Sequence, residues 1–309
     1  MLLRQQGRTL VVHTPAKLNL FLEVLGKRTD GYHELETLLV SVGLYDTLRF
    51  TEEFASSSSS GPAPSPDIRL RCRWAGARPY PFAPLPNSSD NLVVKAARLM
   101  QDFCGVVRGV TIELRKRIPM AAGLGGGSSD AAATLVALNR LWGLGLPDQQ
   151  LLGLAARLGS DIGFFLERTP VAICRGRGER IEPVTIPMRL HFVISKPASG
   201  LSTASVFRHC QAPAEPCSVR PLVHALRAGK LDSAARSLHN ALQASAGALN
   251  SDVVRLRDLF SHLPFIGHQM SGSGSSYFGI CWQREQAGRL AAQLRSTGRD
   301  QVFVASTQP

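Results

Sequence analysis

The first fifty residues carry the alternating pattern of β-strands. Apolar and polar side chains alternate over 9–26, which is rich in β-branched residues, and a similar pattern continues over 35–50. Because successive side chains point to opposite faces of a strand, this period of two predicts one or two strands over 9–26 and further strand structure over 35–50. The Ser, Pro and Gly run over 55–67 has no periodicity and predicts a flexible loop.

Helical spacing of apolar residues begins after residue 88. The stretch 88–105 starts with Ser and Asp as candidate N-caps and stops at Gly105, as helices commonly do. The other elements predicted for this half are a strand over 110–119, helices over 128–143 and 148–159, a short turn over 160–166, and two strands around a tight connection over 170–184.

The rest of the chain mixes strands and helices. The predicted elements are a strand over 190–197, helices near 203–210, 219–228, 231–245 and 251–262, a glycine turn running into a strand over 271–282, a helix over 285–296 and a strand over 301–306. There is neither strict strand–helix alternation nor an internal repeat, which indicates the α+β class. We expect two domains, 1–188 and 189–309.

Composition narrows the class of protein. The 309 residues exceed a typical single domain, and 44% apolar with 19% charged residues suit a globular protein with a sizeable core. No apolar run approaches the roughly 18 residues of a membrane helix, and the N-terminus lacks the apolar stretch of a secretory signal. The six cysteines are scattered without a CxxC pair, which predicts neither a disulfide framework nor a zinc site. We therefore expect a cytoplasmic protein without a membrane partner.

The net charge of +12 bears on the ligand. Basic residues are spread along the chain, with the densest pieces at 69–78, 115–117 and 175–180, and none is interleaved with aromatic residues as in a single-strand binder. This distribution favours a phosphate-rich small molecule, or general basicity, over a nucleic-acid partner.

The stretch PMAAGLGGGSSDAA, residues 119–132, is the sharpest chemical signal. It follows a predicted strand and opens a predicted helix, and its glycines permit close backbone approach and positive φ. With the positive end of a helix dipole behind it, such a loop suits a nucleotide polyphosphate, while a flexible turn with an N-cap serine is the structural alternative. It matches neither the Walker A loop nor the dinucleotide GxGxxG pattern.

This loop resembles the central phosphate loop of the GHMP kinases. The N-terminal PAKLNLFLEVLGKRTDGYHEL (15–35) and the C-terminal MSGSGSSYFG (270–279) resemble that superfamily's other two motifs and occur in the right order. The resemblance covers nearly the whole chain except the Ser/Pro insertion and the last stretch. It implies a two-domain α+β fold with a ribosomal-protein-S5-domain-2-like N-terminal half and a ferredoxin-like C-terminal half.

The first motif, with its GYH, resembles the branch of the superfamily in the non-mevalonate isoprenoid pathway. The resemblance implies an ATP-dependent kinase acting on the 2-hydroxyl of a cytidine-diphosphate-linked methylerythritol. A homoserine or mevalonate type of kinase is the nearer alternative. A basic RNA-binding protein of related architecture is the more distant one. The sequence leaves open whether the protein is a monomer or a homodimer.

Lys17 and Asp161 are the candidate catalytic residues. From the sequence alone, Lys17 in an apolar strand is either a snorkelling surface lysine or functional, and Asp161 before apolar residues is either a helix N-cap or functional. The resemblance implies that Asp161 is the general base and that Lys17 stabilises the developing alkoxide and keeps the carboxylate ionised.

The resemblance also implies binding residues. For the acceptor these are Asn19, Thr203, and a cytosine site in which Tyr32 and Phe207 stack and His33 contacts the base edge. Mg²⁺ is expected to enter with ATP near Ser128 or Ser129, and no protein residue is assigned as a resident metal ligand. The expected ATP-binding residues are Asn91, Lys95, Pro119, Met120, Ala121, Ala122, Gly123, Leu124, Gly125, Gly126, Gly127, Ser128 and Ser129.

Two positions depart from the pattern of relatives. Where relatives often have Asn-Asp-Leu, this chain has Asn240 followed by Ala241, and where they commonly have proline after the catalytic aspartate and one residue, it has Gly163. Gly272 and Gly274 are expected to pack a turn against the phosphate loop.

Overall fold

A computed structural model describes residues 1–53, 67–76, 85, 89–167 and 169–308. Apart from Asp67, the loop predicted over 55–67 lies outside the described residues.

The first sheet contains eight strands in the described part of the chain. Its strands are β1 Leu2–Gln6, β2 Thr9–Lys27, β3 His33–Glu53, β4 Ile68–Trp74, β5 Gly109–Lys116, β6 Val171–Gly176, β7 Arg180–Pro183 and β9 His239–Asn240. The main path runs β1-β2-β3-β5-β4, while β6 pairs with both β3 and β7, and β9 pairs in parallel with β2.

The second sheet has four strands among the described residues, all antiparallel, in the order β10-β11-β8-β12. Their bounds are β8 His191–Pro197, β10 Gly267–Met270, β11 Tyr277–Cys281 and β12 Asp300–Ser306. Seven strands of the first sheet pair with one another within the first 183 residues. In the described part of the chain, β9 and an isolated bridge between Thr307 and Val42 of β3 join that sheet from the later residues.

The helices complete the α+β fold expected from the sequence. They are α1 Leu92–Cys104, α2 Gly126–Leu141, α3 Asp148–Leu158, α4 Ile162–Leu166, α5 Thr203–His209, α6 Arg220–Arg227, α7 Leu231–Arg236, α8 Gln243–Leu249, α9 Ser251–Ser261 and α10 Arg284–Arg295. Within the described ranges, no helix combines the length and the apolar character that crossing a lipid bilayer requires.

Helix α1 begins later than its candidate caps predict. The Ser and Asp candidates at 88–90 are not the cap, because Asn91 takes that position with extended backbone and its Oδ1 accepts a hydrogen bond from the N–H of Val93 at 2.9 Å. The predicted end is confirmed, since Gly105 adopts the left-handed conformation with φ 63°.

Two further element predictions are wrong in their bounds. The helix predicted over 128–143 begins at Gly126, because left-handed Gly125 caps it and the glycines themselves form its first turn. The single helix predicted over 231–245 is interrupted by β9, where the Asn240 amide donates to the carbonyls of Met270 and Gly272. These long-range bonds leave no trace in the local apolar spacing.

Several short elements escaped the sequence pattern. The turn predicted over 160–166 contains the one-turn helix α4, and strands β1, β4 and β10 were not predicted. Strand β4 alternates between half-buried and exposed side chains, and among the described strands it pairs only with β5. Its arginine-rich sequence therefore resembles a surface stretch.

The middle of the core joins the two sheets. One hydrophobic cluster contains Leu18 and Val40 from the first sheet together with Phe192, Ile194 and Phe278 from the second. All five side chains are 2% exposed or less. The two sheets therefore share apolar burial, which is the dominant favourable contribution to folding.

Candidate active site

A single large cavity of about 1070 Å³ collects most of the residues singled out in the sequence. That volume is at the upper end for a ligand site and suits two bound molecules. The predicted residues that line it are Lys17, Asn19, Tyr32, His33, Asn91, Pro119, Met120, Ala121, Ala122, Gly123, Leu124, Gly125, Gly126, Gly127, Ser128, Asp161, Thr203 and Phe207.

Lys95 and Ser129 are the two predicted residues that are not part of this lining. Lys95 is half-exposed and pairs with Asp90 at 3.7 Å. Ser129 is fully buried, and its hydroxyl donates to the carbonyl of Pro15 at 2.6 Å. Ser128, one residue earlier, is only half-buried and faces the cavity.

The glycine loop owes its shape to close packing against a second glycine turn. Gly123 has φ 71°, and a Cβ placed on it would lie 2.0 Å from the carbonyl oxygen of Ser271. The Ser271 hydroxyl donates to the carbonyl of Gly123 at 3.0 Å, and the N–H of Ser276 donates to the carbonyl of Ala122 at 3.2 Å. The expected packing of the C-terminal turn on the phosphate loop is therefore present.

The glycine loop places the N-terminus of α2 at the cavity. Gly125 is the N-cap and has φ 69°, and no side chain caps the helix. The first helical bond runs from the N–H of Ser129 to the carbonyl of Gly125. The N–H groups of the three preceding residues thus lie before the helical ladder, where they and the helix dipole suit an anion.

The charged groups of Lys17 and Asp161 lie close together in the lining of the cavity. Lys17 Nζ lies 3.4 Å from Asp161 Oδ2, with the lysine side chain 5% exposed and the aspartate 38% exposed. The backbone N–H of Lys17 also donates to the carbonyl of Leu124 at 3.0 Å, which ties β2 to the glycine loop. A buried ammonium requires compensating acceptors, and the aspartate is one of them.

The position of Asp161 bears on its interpretation as a helix N-cap. The residue occupies the N-cap position of α4, but its carboxylate makes no capping hydrogen bond. Its side chain therefore does not cap α4. The half-exposed carboxylate faces the cavity instead, held near the Lys17 ammonium.

Asn19 completes the lysine's surroundings. Its Oδ1 accepts from Lys17 Nζ at 2.5 Å, and its Nδ2 donates to the Thr37 hydroxyl at 2.9 Å. The Thr37 hydroxyl in turn donates to the carbonyl of Phe21 at 2.6 Å. This chain of hydrogen bonds fixes the amide orientation of Asn19 and, through it, the position of the ammonium.

An aromatic group forms another part of the lining. The rings of His33 and Phe207 stack with centroids 5.1 Å apart and planes inclined by 29°. Tyr32 is exposed, and the Arg177 guanidinium lies 4.8 Å from its ring centroid. Burial and the nearby Lys27 charge lower the pKa of His33, which favours the neutral imidazole. Thr203 bonds to the Ser273 hydroxyl at 2.9 Å.

The sequence analysis did not identify three basic side chains that line the cavity. Lys27, Arg177 and Arg208 all line the cavity and give it positive charge. The signal for Arg177 was the dense basic stretch 175–180, which sequence reasoning treated only as a contribution to net charge.

A buried ionic cluster beneath the loop was also missed. Lys116 Nζ pairs with Asp130 Oδ2 at 2.7 Å and with Asp46, whose other oxygen accepts from the N–H of Ile118 at 2.9 Å. Burial, with the neighbouring Asp46 charge, raises the pKa of Asp130 well above its ordinary value. The cluster fixes the backbone where β5 enters the loop. No local motif signals it, because its members are far apart in sequence.

Comparison with protein families identifies the class. The profile of the GHMP kinases N terminal domain matches residues 91–166, and that of the GHMP kinases C terminal region matches residues 222–300. The fold is shared with a homoserine kinase from Cytophaga hutchinsonii, which is 17% identical with a TM-score of 0.71 over 100% of this chain and 97% of that one. Fold and glycine motifs thus define a GHMP kinase.

Closer relatives narrow the family. The 4-diphosphocytidyl-2-C-methyl-D-erythritol kinase of Pelotomaculum thermopropionicum is 38% identical, covering 94% of this chain and 96% of its own, and that of Bacillus cereus is 36% identical over 93% of each. A solved 4-(cytidine 5'-diphospho)-2C-methyl-D-erythritol kinase is 33% identical, with a TM-score of 0.76 over 97% of this chain and 100% of that one. The chain belongs to the 4-diphosphocytidyl-2-C-methyl-D-erythritol kinase family of the GHMP kinases.

Proposed function

We propose that this chain transfers the γ-phosphate of ATP to the 2-hydroxyl of 4-diphosphocytidyl-2-C-methyl-D-erythritol, a step of the non-mevalonate isoprenoid pathway. The observation that carries the proposal is the Lys17–Asp161 pair in one cavity with an uncapped glycine-loop helix and the stacked His33–Phe207 rings. Each feature suits one part of the reaction: proton transfer, the polyphosphate and the nucleobase.

Asp161 acts as the general base. Its carboxylate accepts the proton of the acceptor hydroxyl while that oxygen bonds to the γ-phosphorus, and the bond from the γ-phosphorus to the bridging oxygen of ADP breaks. Lys17, 3.4 Å away, stabilises the developing alkoxide. Asn19 holds the ammonium in place through its 2.5 Å bond.

The glycine loop binds the polyphosphate. The free N–H groups at the start of α2 lie beside Lys17, because the Cβ of a side chain at Gly125 would lie 2.9 Å from Lys17 Cγ. Since phosphoryl transfer depends mainly on positioning and charge stabilisation, this adjacency of the anion site and the catalytic pair supports the assignment.

The donor atoms beside the loop fit a magnesium ion bound with ATP. Magnesium prefers oxygen ligands and keeps several waters, and the Ser128 hydroxyl faces the cavity at the helix start. The Ser129 hydroxyl is engaged with Pro15 and is unsuitable, so we assign Ser128. When bound, the ion neutralises charge on the β- and γ-phosphates.

The cytidine is proposed to bind at the aromatic end. His33 hydrogen-bonds the base edge and Phe207 stacks on the base, for which the two rings separate from their present 5.1 Å stacking. Tyr32 supplies an exposed second face, while Lys27, Arg177 and Arg208 provide positive charge for the diphosphate. Thr203 lies at the acceptor side. Asn91 lines the nucleotide side but uses its Oδ1 to cap α1.

An ADP-release assay with a panel of acceptors tests the proposal. The purified protein is supplied with ATP, Mg²⁺ and one acceptor at a time: the cytidyl-methylerythritol, mevalonate, homoserine or galactose. We expect ADP release with the cytidyl substrate alone. A preference for any other acceptor would move the protein to another branch of the superfamily, and salt-sensitive retention of structured RNA on a filter would support the nucleic-acid alternative.

We also propose a division into domains near residue 188. It is supported by the sheets, since β1–β7 belong to the first and β8 begins the second. The strand β9 is the exception because it pairs with β2. The cavity is lined from both sides of this division, by Lys17 and Asp161 on one and Thr203 and Phe207 on the other.

A further inference from the structure

Three side chains with different metal-binding atoms meet near the end of β2. Glu23 lies on β2, His239 on β9, and Cys217 in the connection between α5 and α6. One carboxylate oxygen, one imidazole nitrogen and the thiol sulfur all lie within 4.8 Å of one another. Across the described ranges, this is the one cluster of three or more Cys, His, Asp or Glu side chains found with such proximity.

The distance between the carboxylate and the imidazole matches the dimensions of a zinc site. Glu23 Oε2 and His239 Nε2 are 3.1 Å apart. Two ligands that each lie about 2.0–2.1 Å from a tetrahedral zinc ion are separated by about 3.3 Å. If a metal ion replaces the proton between these two atoms, the two side chains therefore need to move only slightly apart.

The carboxylate is held in place, while the thiol is free to adjust. Glu23 is 1% exposed, its Oε1 accepts from the N–H of Val24 at 2.9 Å, and its Oε2 accepts from the N–H of Cys217 at 2.8 Å. Cys217 is itself exposed, so its side chain can rotate toward the ion and leave an entry path from solvent. Preoriented ligands with one mobile partner are well suited to metal capture.

We propose that Glu23, Cys217 and His239 bind a zinc ion, with water as the fourth ligand. Sulfur and imidazole ligands favour zinc over magnesium or calcium, which prefer oxygen. The sequence predicted no zinc site because Glu23 lies 194 residues before Cys217 and 216 before His239, and no CxxC pair is present.

The ion would fasten an exposed connection to the first sheet. Residues 211–218 contain no helix or strand and are exposed throughout. They follow α5, which carries Thr203 and Phe207, so a metal bond at Cys217 restrains the segment behind that wall of the cavity. The adjacent Asn240 holds the C-terminal glycine turn through the carbonyls of Met270 and Gly272.

Cobalt titration of the full-length, chelator-treated protein tests the site. Tetrahedral cobalt with a thiolate ligand gives intense visible bands and a near-ultraviolet sulfur-to-metal charge-transfer band. We expect one equivalent of Co²⁺ to produce both and Zn²⁺ to abolish them by displacement. Zn²⁺ should also raise the melting temperature of the metal-free protein, because it binds the folded state.

Matched thiol variants assign the ligand. Cys217→Ser should lose the charge-transfer band and weaken binding at least about tenfold, while Cys210→Ser, at a half-buried thiol near Ala241, should keep both. His239→Gln provides a second ligand variant, and melting curves without metal check that each variant is folded. Absence of saturable one-to-one binding, a spectrum without the thiolate band, or a band insensitive to Cys217→Ser would overturn the proposal.

Discussion

At the residue scale, the catalytic proposal depends on one ion pair with unequal exposure. Lys17 is almost completely buried and Asp161 is half-exposed, with 3.4 Å between their charged atoms. The buried partner is fixed by Asn19 and the carboxylate is open to the cavity. The arrangement lets the aspartate meet a substrate hydroxyl without exposing the lysine.

Asp161→Asn should separate catalysis from folding. The amide is nearly isosteric but cannot accept the proton, so we expect kcat to fall at least about 100-fold with both KM values little changed. The fold should survive, because an amide oxygen at this position can still accept from the Lys17 ammonium and the replaced carboxylate makes no capping bond. Steady-state kinetics and thermal melting measure the two effects.

Two controls sharpen this experiment. Asp148→Asn alters an exposed carboxylate in the first turn of α3 and should leave kcat unchanged. Lys17→Ala combined with Asp161→Asn should cost less than the product of the single effects, because paired residues act as a unit. Retention of more than about a tenth of wild-type kcat by the Asn variant would show that Asp161 is not the base.

His33→Ala should act on one substrate. If the imidazole bonds the cytosine edge, its loss leaves a polar group unpaired, at a cost of about 1–3 kcal/mol. We expect the KM of the cytidyl substrate to rise by about 5-fold to 150-fold, with the KM of ATP nearly constant. His224→Ala, at an exposed position on α6, is the matched control. Equal changes in both KM values would instead indicate a structural histidine that shapes the whole cavity.

At the scale of elements, a substitution in the glycine loop tests its packing against the C-terminal glycine turn. Gly123→Ala places a methyl group 2.0 Å from the Ser271 carbonyl at a positive φ, so the turns must separate. We expect a loss of about 1–3 kcal/mol in unfolding free energy and strongly weakened ATP binding by calorimetry. Gly127→Ala is the control, since its Cβ meets only Leu92 at 3.6 Å and should preserve the melting temperature.

Gly125→Val probes the same loop from its other side. A side chain there is strained by φ 69°, and its Cβ lies 2.9 Å from Lys17 Cγ and 3.0 Å from Phe165 Cζ. We expect loss of ATP binding in a variant whose melting curve still shows a cooperative transition. Near-normal ATP affinity in that folded variant would contradict a phosphate-binding loop.

Lys196, at the end of β8, should make a contribution to folding stability that depends on pH. Lys196 is buried and donates to the carbonyls of Pro197 and Ser199, and its burial lowers its pKa to about 8. Between about pH 8 and pH 10.5, the unfolded chain holds a proton that the folded chain has released, so this residue's contribution to stability increases with pH.

Urea unfolding over a pH series measures that contribution. From about pH 8 to about pH 10, the difference in unfolding free energy between wild type and Lys196→Met should shift in favour of the wild type. Lys230→Met, at an exposed lysine, should show no such shift. Parallel pH profiles for the wild type and the Lys196 variant would mean that the ammonium is not desolvated in the native state.

Local pattern predicted those elements whose own residues determine them. The period of two located β2 and β3, and Gly105 marked the end of α1, because strand alternation and a left-handed cap are local properties. Local pattern failed to predict β9, where Asn240 donates a hydrogen bond to the distant Met270 carbonyl. It also failed to predict β4, whose partner strand β5 is distant in sequence. For the site, the glycine loop was locally evident, but Lys116 and its two carboxylates became visible only in three dimensions.

At the scale of the whole molecule, the division near residue 188 separates two sheets but not two cores. Leu18 and Val40 from the first sheet are buried in one cluster with Ile194 and Phe278 from the second. Separating the sheets would expose these side chains on both sides, at about 25 cal/mol for each Å² of apolar surface. Burial shared in this way couples the folding of the two halves.

We therefore expect the two sheets to unfold as one cooperative unit. In native-state hydrogen exchange with mass spectrometry, peptides from β3 and from β8 and β11 should exchange through openings whose free energies agree within about 1 kcal/mol. Peptides from the exposed connection 211–218 should exchange much faster and serve as an internal reference. Opening of β8 and β11 at a clearly lower free energy than β3 would mean that the first sheet keeps its core without the second. In that case the cavity would be assembled from two independently stable domains, and the shared cluster would be only a contact between them.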